Sequence, residues 1–416
     1  MVVAEVDVAI LPSVTVTAIG YLALGIVLGT CSGLTPGIHA NNFALLLAGI
    51  APMLPGPPLL VGLAMLAAGV VHTFLDAIPA LAIGVPEADM AVAALPGHRM
   101  VMHGRGHEAL RLSALGSGIA VLLAIPLAIP ITLAMVRWYP LLQQHMPLIL
   151  GTVAVLLIVT ETTRRGMVAG FLSFSISSLL GFAILDLEPA APLDGGGVLA
   201  PLFAGLFGAP VIIDALGGGG VPRQGQAHLR IRSRAIAIPA AAGSASGAVV
   251  GYLPGVSSAI AAVIALSVVP NEHPDRGFII ATSGVNTANT IFALFALVAL
   301  GTPRTGVLVA VDQASIPIHL PMMLLAVAIA AAAGFMLVLI LGDWYLLALG
   351  AIEYHLVCGV VLSLLLILSF LFAGVIGLMI FTVATVIGYL PVRLGCRRVH
   401  LMGVLMGPIM LWTWSY

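Results

Sequence analysis

Two clusters of polar residues stand inside long apolar runs of the chain. His72, Thr73 and Asp76 lie in "VVHTFLDAIPA", and Asn286, Thr287, Asn289 and Thr290 lie in "SGVNTANTIFALF". An ionisable group in such a run is costly; it faces a cavity and marks a path for an ion or proton. His72 and Asp76 share one helical face at i and i+4. Asp76 can hold a coupling cation or carry a proton, or it can be a buried carboxylate bonded to His72. Asn286 and Asn289, three apart on one face, offer both donors and acceptors, which suits either a carboxylate or a bound Na+. Thr287 and Thr290 extend the same polar face, so His72, Thr73, Asp76, Thr287 and Thr290 are the candidate ion-coupling residues.

A second chemistry is anion binding. "GTCSGLTPGIHANN" (29–42) and "GAVVGYLPGVSSAI" (247–260) carry the same Gly-x-x-x-Gly-x-x-Pro-Gly phrase, 255 − 37 = 218 positions apart. Pro-Gly stops a helix. Inside a bilayer such a stop is tolerated only where it is buried in protein or lines a watery cavity. The chain turns polar just after each stop: Asn41 and Asn42 after Gly37, Ser257 and Ser258 after Gly255. A short helix starting there aims free N–H groups into the cavity, an arrangement that attracts carboxylates. Capping of those helices is expected of the same residues, and contact with solute is compatible with it. Arg304, after "GTP" (301–303), has a guanidinium fork suited to a carboxylate; the alternative is an interfacial Arg reaching for headgroups. The candidate solute site is therefore Gly37, Asn41, Asn42, Gly255, Ser257, Ser258, Asn286, Asn289 and Arg304.

The elements that must position these groups are membrane spans. The chain has 416 residues, 61% hydrophobic and 7% charged, whereas soluble domains carry about 25% charged residues. Apolar segments long enough to span lie near 14–32, 59–84, 110–136, 140–160, 166–186 and 196–214, then near 235–253, 277–300, 318–342, 344–369, 371–391 and 399–414. Shorter runs at 38–54, 86–97, 256–270 and 303–312 read as re-entrant or half-helices. Arg-rich loops at 97–111, 164–165, 221–234 and 393–398 are expected on the cytoplasmic side. That placement puts the N-terminus outside and makes the two phrases enter from opposite sides. The expected architecture is an all-α polytopic integral membrane protein of two inverted-topology repeats with broken helices, 1–220 and 235–416, joined by an Arg-rich linker at 221–234. Gly25, Gly29 and Gly33 match Gly243, Gly247 and Gly251 in spacing, which lets a neighbouring helix approach closely.

Other chemistries find little support. His98, His103 and His107 lack Cys or a fixed acidic partner and read as a cytoplasmic loop rather than a metal site. Cys31, Cys358 and Cys396 have no metal-like spacing. No HExxH or GxSxG occurs, so no enzyme activity, metal or organic cofactor is expected. The acidic N-terminus lacks the basic start of a signal peptide. Glu353 and His355 stand in an apolar run without an assigned role.

The segments "GIVLGTCSGLTPGIHANNFALLL", "LPGHRMVMHGRGHEALRLSALGSG", "GSASGAVVGYLPGVSSA" and "SGVNTANTIFALFALVALGTPRTG" resemble the large membrane subunit of the tripartite tricarboxylate transporter family, the TctA-like permeases, in their archaeal form. Gly97-His98-Arg99 stands where bacterial members read Asp-Gly-Tyr, and "NTAN" replaces a Glu-Ala-Asn-Asn-Ala phrase while Asn286 and Asn289 keep amides. The resemblance implies import of a carboxylate, tricarboxylate-like, across the cytoplasmic membrane, driven by Na+ or H+. It also implies a small membrane subunit and an extracytoplasmic solute-binding protein as partners beside the lipid bilayer, and no nucleic acid. A transporter of another anionic or lipid-linked substrate, or an intramembrane enzyme using His72 and Asp76, are the alternatives.

Overall fold

The computed structural model describes residues 12–36, 56–84, 94–192, 197–216, 221–225, 232–253, 258–268 and 273–412. Gly37, Asn41, Asn42, Gly255 and Ser257, the short run at 38–54 and much of the 221–234 linker lie outside the described residues.

The described chain is mostly helical, with no strand among the described residues. Eight of its helical stretches are long and apolar enough to cross a membrane. In order, the helices are α1 (Pro12–Leu34), α2 (Pro58–Leu75), α3 (Ala77–Ala82), α4 (Ala94–Met102), α5 (Gly106–Gln144), α6 (Met146–Val159) and α7 (Arg164–Ile184). There follow α8 (Leu199–Phe203), a π-helical turn (Ala204–Gly208), α9 (Ala209–Ala215), α10 (Ser233–Tyr252), α11 (Ser258–Val268), α12 (Pro274–Leu300) and α13 (Gly306–Gln313). The chain closes with α14 (Leu320–Ala351), α15 (Tyr354–Gly388), α16 (Leu390–Leu394), a 3-10 turn (Arg398–Met402) and α17 (Gly403–Trp412).

Some boundaries differ from the apolar runs. The run at 140–160 does not begin a new span at Pro140: α5 carries Pro126, Pro130 and Pro140 inside one 39-residue helix. Proline in a membrane helix is tolerated where neighbours re-satisfy the freed carbonyl. The run near 318–342 continues through Asp343 to Ala351, so Glu353 is an N-cap between two helices rather than a residue inside a span. The run near 344–369 starts in the last turns of α14 and continues in the first part of α15. α15 is broken at Ala373 and Gly374, where a φ of 58° at Gly374 favours glycine, so its second part corresponds to the run near 371–391.

Two helix pairs organise the larger core. In the first, a Cβ at Gly25, Gly29 or Gly33 of α1 would collide with Ala64, with Ala68 and Val71, or with Leu75 of α2. In the second, Gly243, Gly247 and Gly251 of α10 stand against Ala281, against Val285 and Ala288, and against Phe292 of α12. The α12 partners lie a constant interval after the α2 partners (281 − 64 = 217; 292 − 75 = 217). The absent side chains bring the backbones close enough for dispersion contacts that carry helix association where lipid supplies no hydrophobic drive. α2 is buried from Leu60 to Leu75, and α12 is buried from Ile279 to Leu297. α5 and α14 pack around this centre.

A second apolar cluster gathers α6, α7, α8, α17 and the start of α11. At its end, Glu161 receives Arg397 Nε at 2.9 Å and lies 2.8 Å from His400 Nε2. Burial pushes the Glu161 carboxyl up, but hydrogen bonds from Arg397 and His400 outweigh it and hold the group below the ordinary carboxylate range.

Candidate functional site

The α2–α3 junction carries the acidic group of the site. Pro79 has no N–H to give the Leu75 carbonyl, and its ring crowds that carbonyl, so the helix is interrupted there. Asp76 occupies the break, capping α2 and preceding α3. It is 3% exposed. Asn286 of α12 donates from Nδ2 to Asp76 Oδ2 at 2.8 Å and reaches the Thr73 carbonyl at 3.5 Å. The first and second polar clusters of the sequence therefore meet.

A file of hydroxyls runs beside that contact. Thr73 Oγ1 donates to the Val70 carbonyl at 2.8 Å and approaches Thr287 Oγ1 at 3.4 Å. Thr287 Oγ1 donates to Ser117 Oγ of α5 at 2.9 Å, and Ser117 Oγ donates to the Ser283 carbonyl at 3.0 Å. Ser113 and Ser283 join hydroxyls at 2.8 Å. Each side chain is buried. A chain of satisfied hydroxyls and one amide around a buried carboxylate offers several neutral oxygens to a small cation, the ligand chemistry that hard cations take.

His72 reaches across to α1, where its Nδ1 lies 2.9 Å from Ser32 Oγ. Asn289 is 9% exposed, and its Oδ1 is buried with no partner. An orphan amide oxygen in a span costs free energy unless a ligand, ion or water fills the gap. Thr290 is buried one residue further on, and Ser258 is fully buried at the first turn of α11.

Arg304 is not part of this group. It follows the left-handed Gly301 at the end of α12, about 21 Å along the helix from Asn286 at 1.5 Å per residue. Its guanidinium bonds the Tyr139 hydroxyl and lies 5.6 Å from the centre of that ring. Of the expected solute-site residues within the described chain, Asn286 and Asn289 share α12 three residues apart, Ser258 is buried at the start of α11, and Arg304 lies beyond the end of α12.

Sequence reading missed Ser32, Ser113, Ser117 and Ser283. The signal for the middle two exists: Ser113 and Ser117 are one turn apart beside Gly116, at which a Cβ would strike the Ile280 backbone. Small polar residues on one face at that interval mark a close helix contact. The histidines of the 97–111 loop diverge: His98 reaches the Leu81 carbonyl, His103 the Arg99 carbonyl, and His107 the Asp343 carboxylate. No cluster of three metal-ligating residues occurs among the described residues.

The fold and this site define an all-helical multi-pass membrane protein with a charged, hydrogen-bonded centre between its most buried helices. The chain belongs to the tripartite tricarboxylate transporter TctA family, whose profile matches residues 19–403. It is also similar to an uncharacterized protein of Methanocaldococcus jannaschii, 28% identical over 417 aligned residues that cover 94% of this chain and 98% of that one. No solved structure matches the chain. The family is one of transporters, which points away from an enzyme, and of tripartite systems, which points to partners of the same general kind.

Proposed function

We propose that the chain is the membrane permease of an ion-coupled carboxylate importer in the cytoplasmic membrane, built as two inverted repeats around one cavity, with its N-terminus outside. Asp76 binds the coupling cation, Na+ or H+, with Thr73, Thr287 and the Asn286 amide beside it. Asn289, whose oxygen has no protein partner, and the residues after the two Pro-Gly stops bind the solute. His72 and Thr290 border the ion. The matched glycine contacts of α1–α2 and α10–α12 support the repeat reading, and family membership supports transport of a tricarboxylate-like solute delivered by a solute-binding protein with a small membrane subunit.

The observation that carries the reading is the Asn286–Asp76 contact, a buried charge held between the two helix pairs. A carboxylate so enclosed favours whichever state is neutralised by a cation or proton. The test is uptake of labelled citrate into proteoliposomes bearing the Asp76→Asn variant. Uptake should lose its dependence on Na+ or proton gradients while solute binding partly survives. Coupling unchanged in that variant would make Asp76 structural.

A further inference from the structure

One cavity of the described chain lies outside the site above, where α14 ends beside the N-terminus of α5. It holds about 270 Å³ and is lined on one side by His107, Arg223 and Gln224, and on the other by Leu346, Leu347 and Gly350. That volume is near the lower limit of the roughly 300–1,000 Å³ of small-ligand pockets; it has room for a headgroup and none for acyl chains.

The polar side is built by a strap, residues 221–225, laid across the start of α5. Gly225 N–H donates to the Gly104 carbonyl at 2.8 Å, and Gln224 Oε1 accepts the Gly106 N–H at 2.7 Å. Gln224 Nε2 donates to the Val101 carbonyl at 3.1 Å. The strap's polar groups are therefore spent on holding it down. Arg223 is left exposed, and it enters none of the ion pairs among the described residues. The nearby Asp343 carboxylate is matched by Arg111 at 3.2 Å and by His107 Nδ1 at 2.5 Å. Asp343 is thus already matched, and Arg223 adds a further cation to the cavity lining.

The apolar side continues out of the cavity. Met336, Ile340, Trp344 and Leu347 follow one another at four, four and three residues, so they form one stripe along α14. All four are exposed, Trp344 by 70% and Leu347 by 65%. In a membrane span such a stripe faces acyl chains, and a Trp near its end marks the headgroup level. A charged pocket thus opens directly onto a hydrocarbon-facing track.

We propose that this cavity binds one anionic phospholipid, with its phosphate against Arg223 and His107 and an acyl chain along Leu347, Trp344, Ile340 and Met336. Charge complementarity selects the headgroup, and the continuous stripe selects an amphiphile over a free anion. The lipid bridges the strap and α14, and so pins the connection between the chain's first and second parts to the helix that packs on α2.

The full chain, purified in detergent and stripped of lipid, is titrated with phosphatidylglycerol and with phosphatidylcholine and read by native mass spectrometry. Phosphatidylglycerol should be retained at least about fivefold better, the effect of one basic residue beside an anionic headgroup. The preference should vanish in Arg223→Gln, an exposed position whose loss leaves folding unchanged. Leu347→Gln should weaken phosphatidylglycerol retention, and millimolar inorganic phosphate should not displace the lipid. Equal retention of the two lipids, or a preference that survives Arg223→Gln, overturns the proposal. So does displacement by inorganic phosphate with Leu347→Gln silent, which would make the cavity a plain anion site.

Discussion

The α1–α2 and α10–α12 pairs share their packing and differ in their chemistry. Each closes on three glycines four residues apart, and the surfaces those glycines meet keep an interval of 217 positions (288 − 71 = 217). Carried across that interval, His72 corresponds to Asn289, Thr73 to Thr290, Asp76 to Ala293, Gly69 to Asn286 and Val70 to Thr287. Only the first pair has the carboxylate, and only the second has the amide that binds it. Packing demands were met twice in the same way, while the charge was placed once. A single buried carboxylate can be neutralised by one cation, whereas a symmetric pair would repel in a medium where unit charges interact strongly.

The largest expected effect tests the shared packing. Gly29→Val and Gly247→Val each push a side chain into a neighbouring backbone or Cβ. Overpacking costs about 1–3 kcal/mol even where neighbours can yield. Both variants should lose monodisperse folded protein in fluorescence-detected size-exclusion and thermal-melt assays. Gly20→Val, with nothing within 4 Å, should melt like the parent. If Gly247→Val melts like the parent while Gly29→Val collapses, the two interfaces are not equivalent.

The next effect tests the unshared charge. Asp76→Ala should abolish ion-dependent uptake. Ala293→Asp added to it should not restore coupling, because Gly69 stands where the partner amide would be needed. A carboxylate so placed is unpaired, at about 2.5–3.5 kcal/mol in a span centre by insertion measurements. The readout is gradient-driven uptake in proteoliposomes. Restoration by the double variant would mean that the two positions are interchangeable and that the asymmetry carries no function.

How much of this was legible in the sequence follows the range of the interaction. The spans and the glycine trios are written locally, as apolar runs and a four-residue interval. The polar residues of α2 and α12 stand out because such residues are rare in spans. Which of them touch is decided by contacts more than 200 positions apart, such as Asp76 with Asn286 and His107 with Asp343, and no local pattern encodes those. Asp343 reads as an interruption of an apolar run. It is instead carried inside α14 because Arg111 and His107 from α5 meet it. Arg304 is expected beside the amides because its guanidinium fork suits a carboxylate; the second half of α12 separates it from Asn286.

A smaller effect is expected at the amide itself. Asn286→Ala removes the donor to Asp76 and keeps the helix. Hydrogen bonds to charged groups contribute about 1.5–3 kcal/mol, so affinity for the coupling ion should change by about 10- to 100-fold. The readout reports the ion. A proton-coupled carrier should change the pH dependence of its uptake. A Na+-coupled carrier should keep its pH profile and show a changed Na+ dependence. An unaltered ion dependence of both kinds would remove Asn286 from the site.

The smallest expected effect compares the matched threonines. Thr73 Oγ1 already satisfies itself on the Val70 carbonyl at 2.8 Å, and its approach to Thr287 at 3.4 Å is the weaker contact. Thr73→Val preserves shape and deletes both. The Val70 carbonyl retains its place in the helix, and Thr287 retains Ser117, so no buried group is orphaned. A net loss of about 1 kcal/mol is expected, seen as a modest drop in melting temperature. If Thr73 lends its hydroxyl oxygen to the cation, Thr73→Val also weakens ion dependence, and Thr290→Val, whose hydroxyl only borders the ion, weakens it less. The contrast between the two variants in ion-dependent uptake, at similar melting temperatures, separates a ligand from a packing residue. Equal ion dependence in both would leave Thr73 as packing and confine the cation to Asp76 and its neighbours on α12.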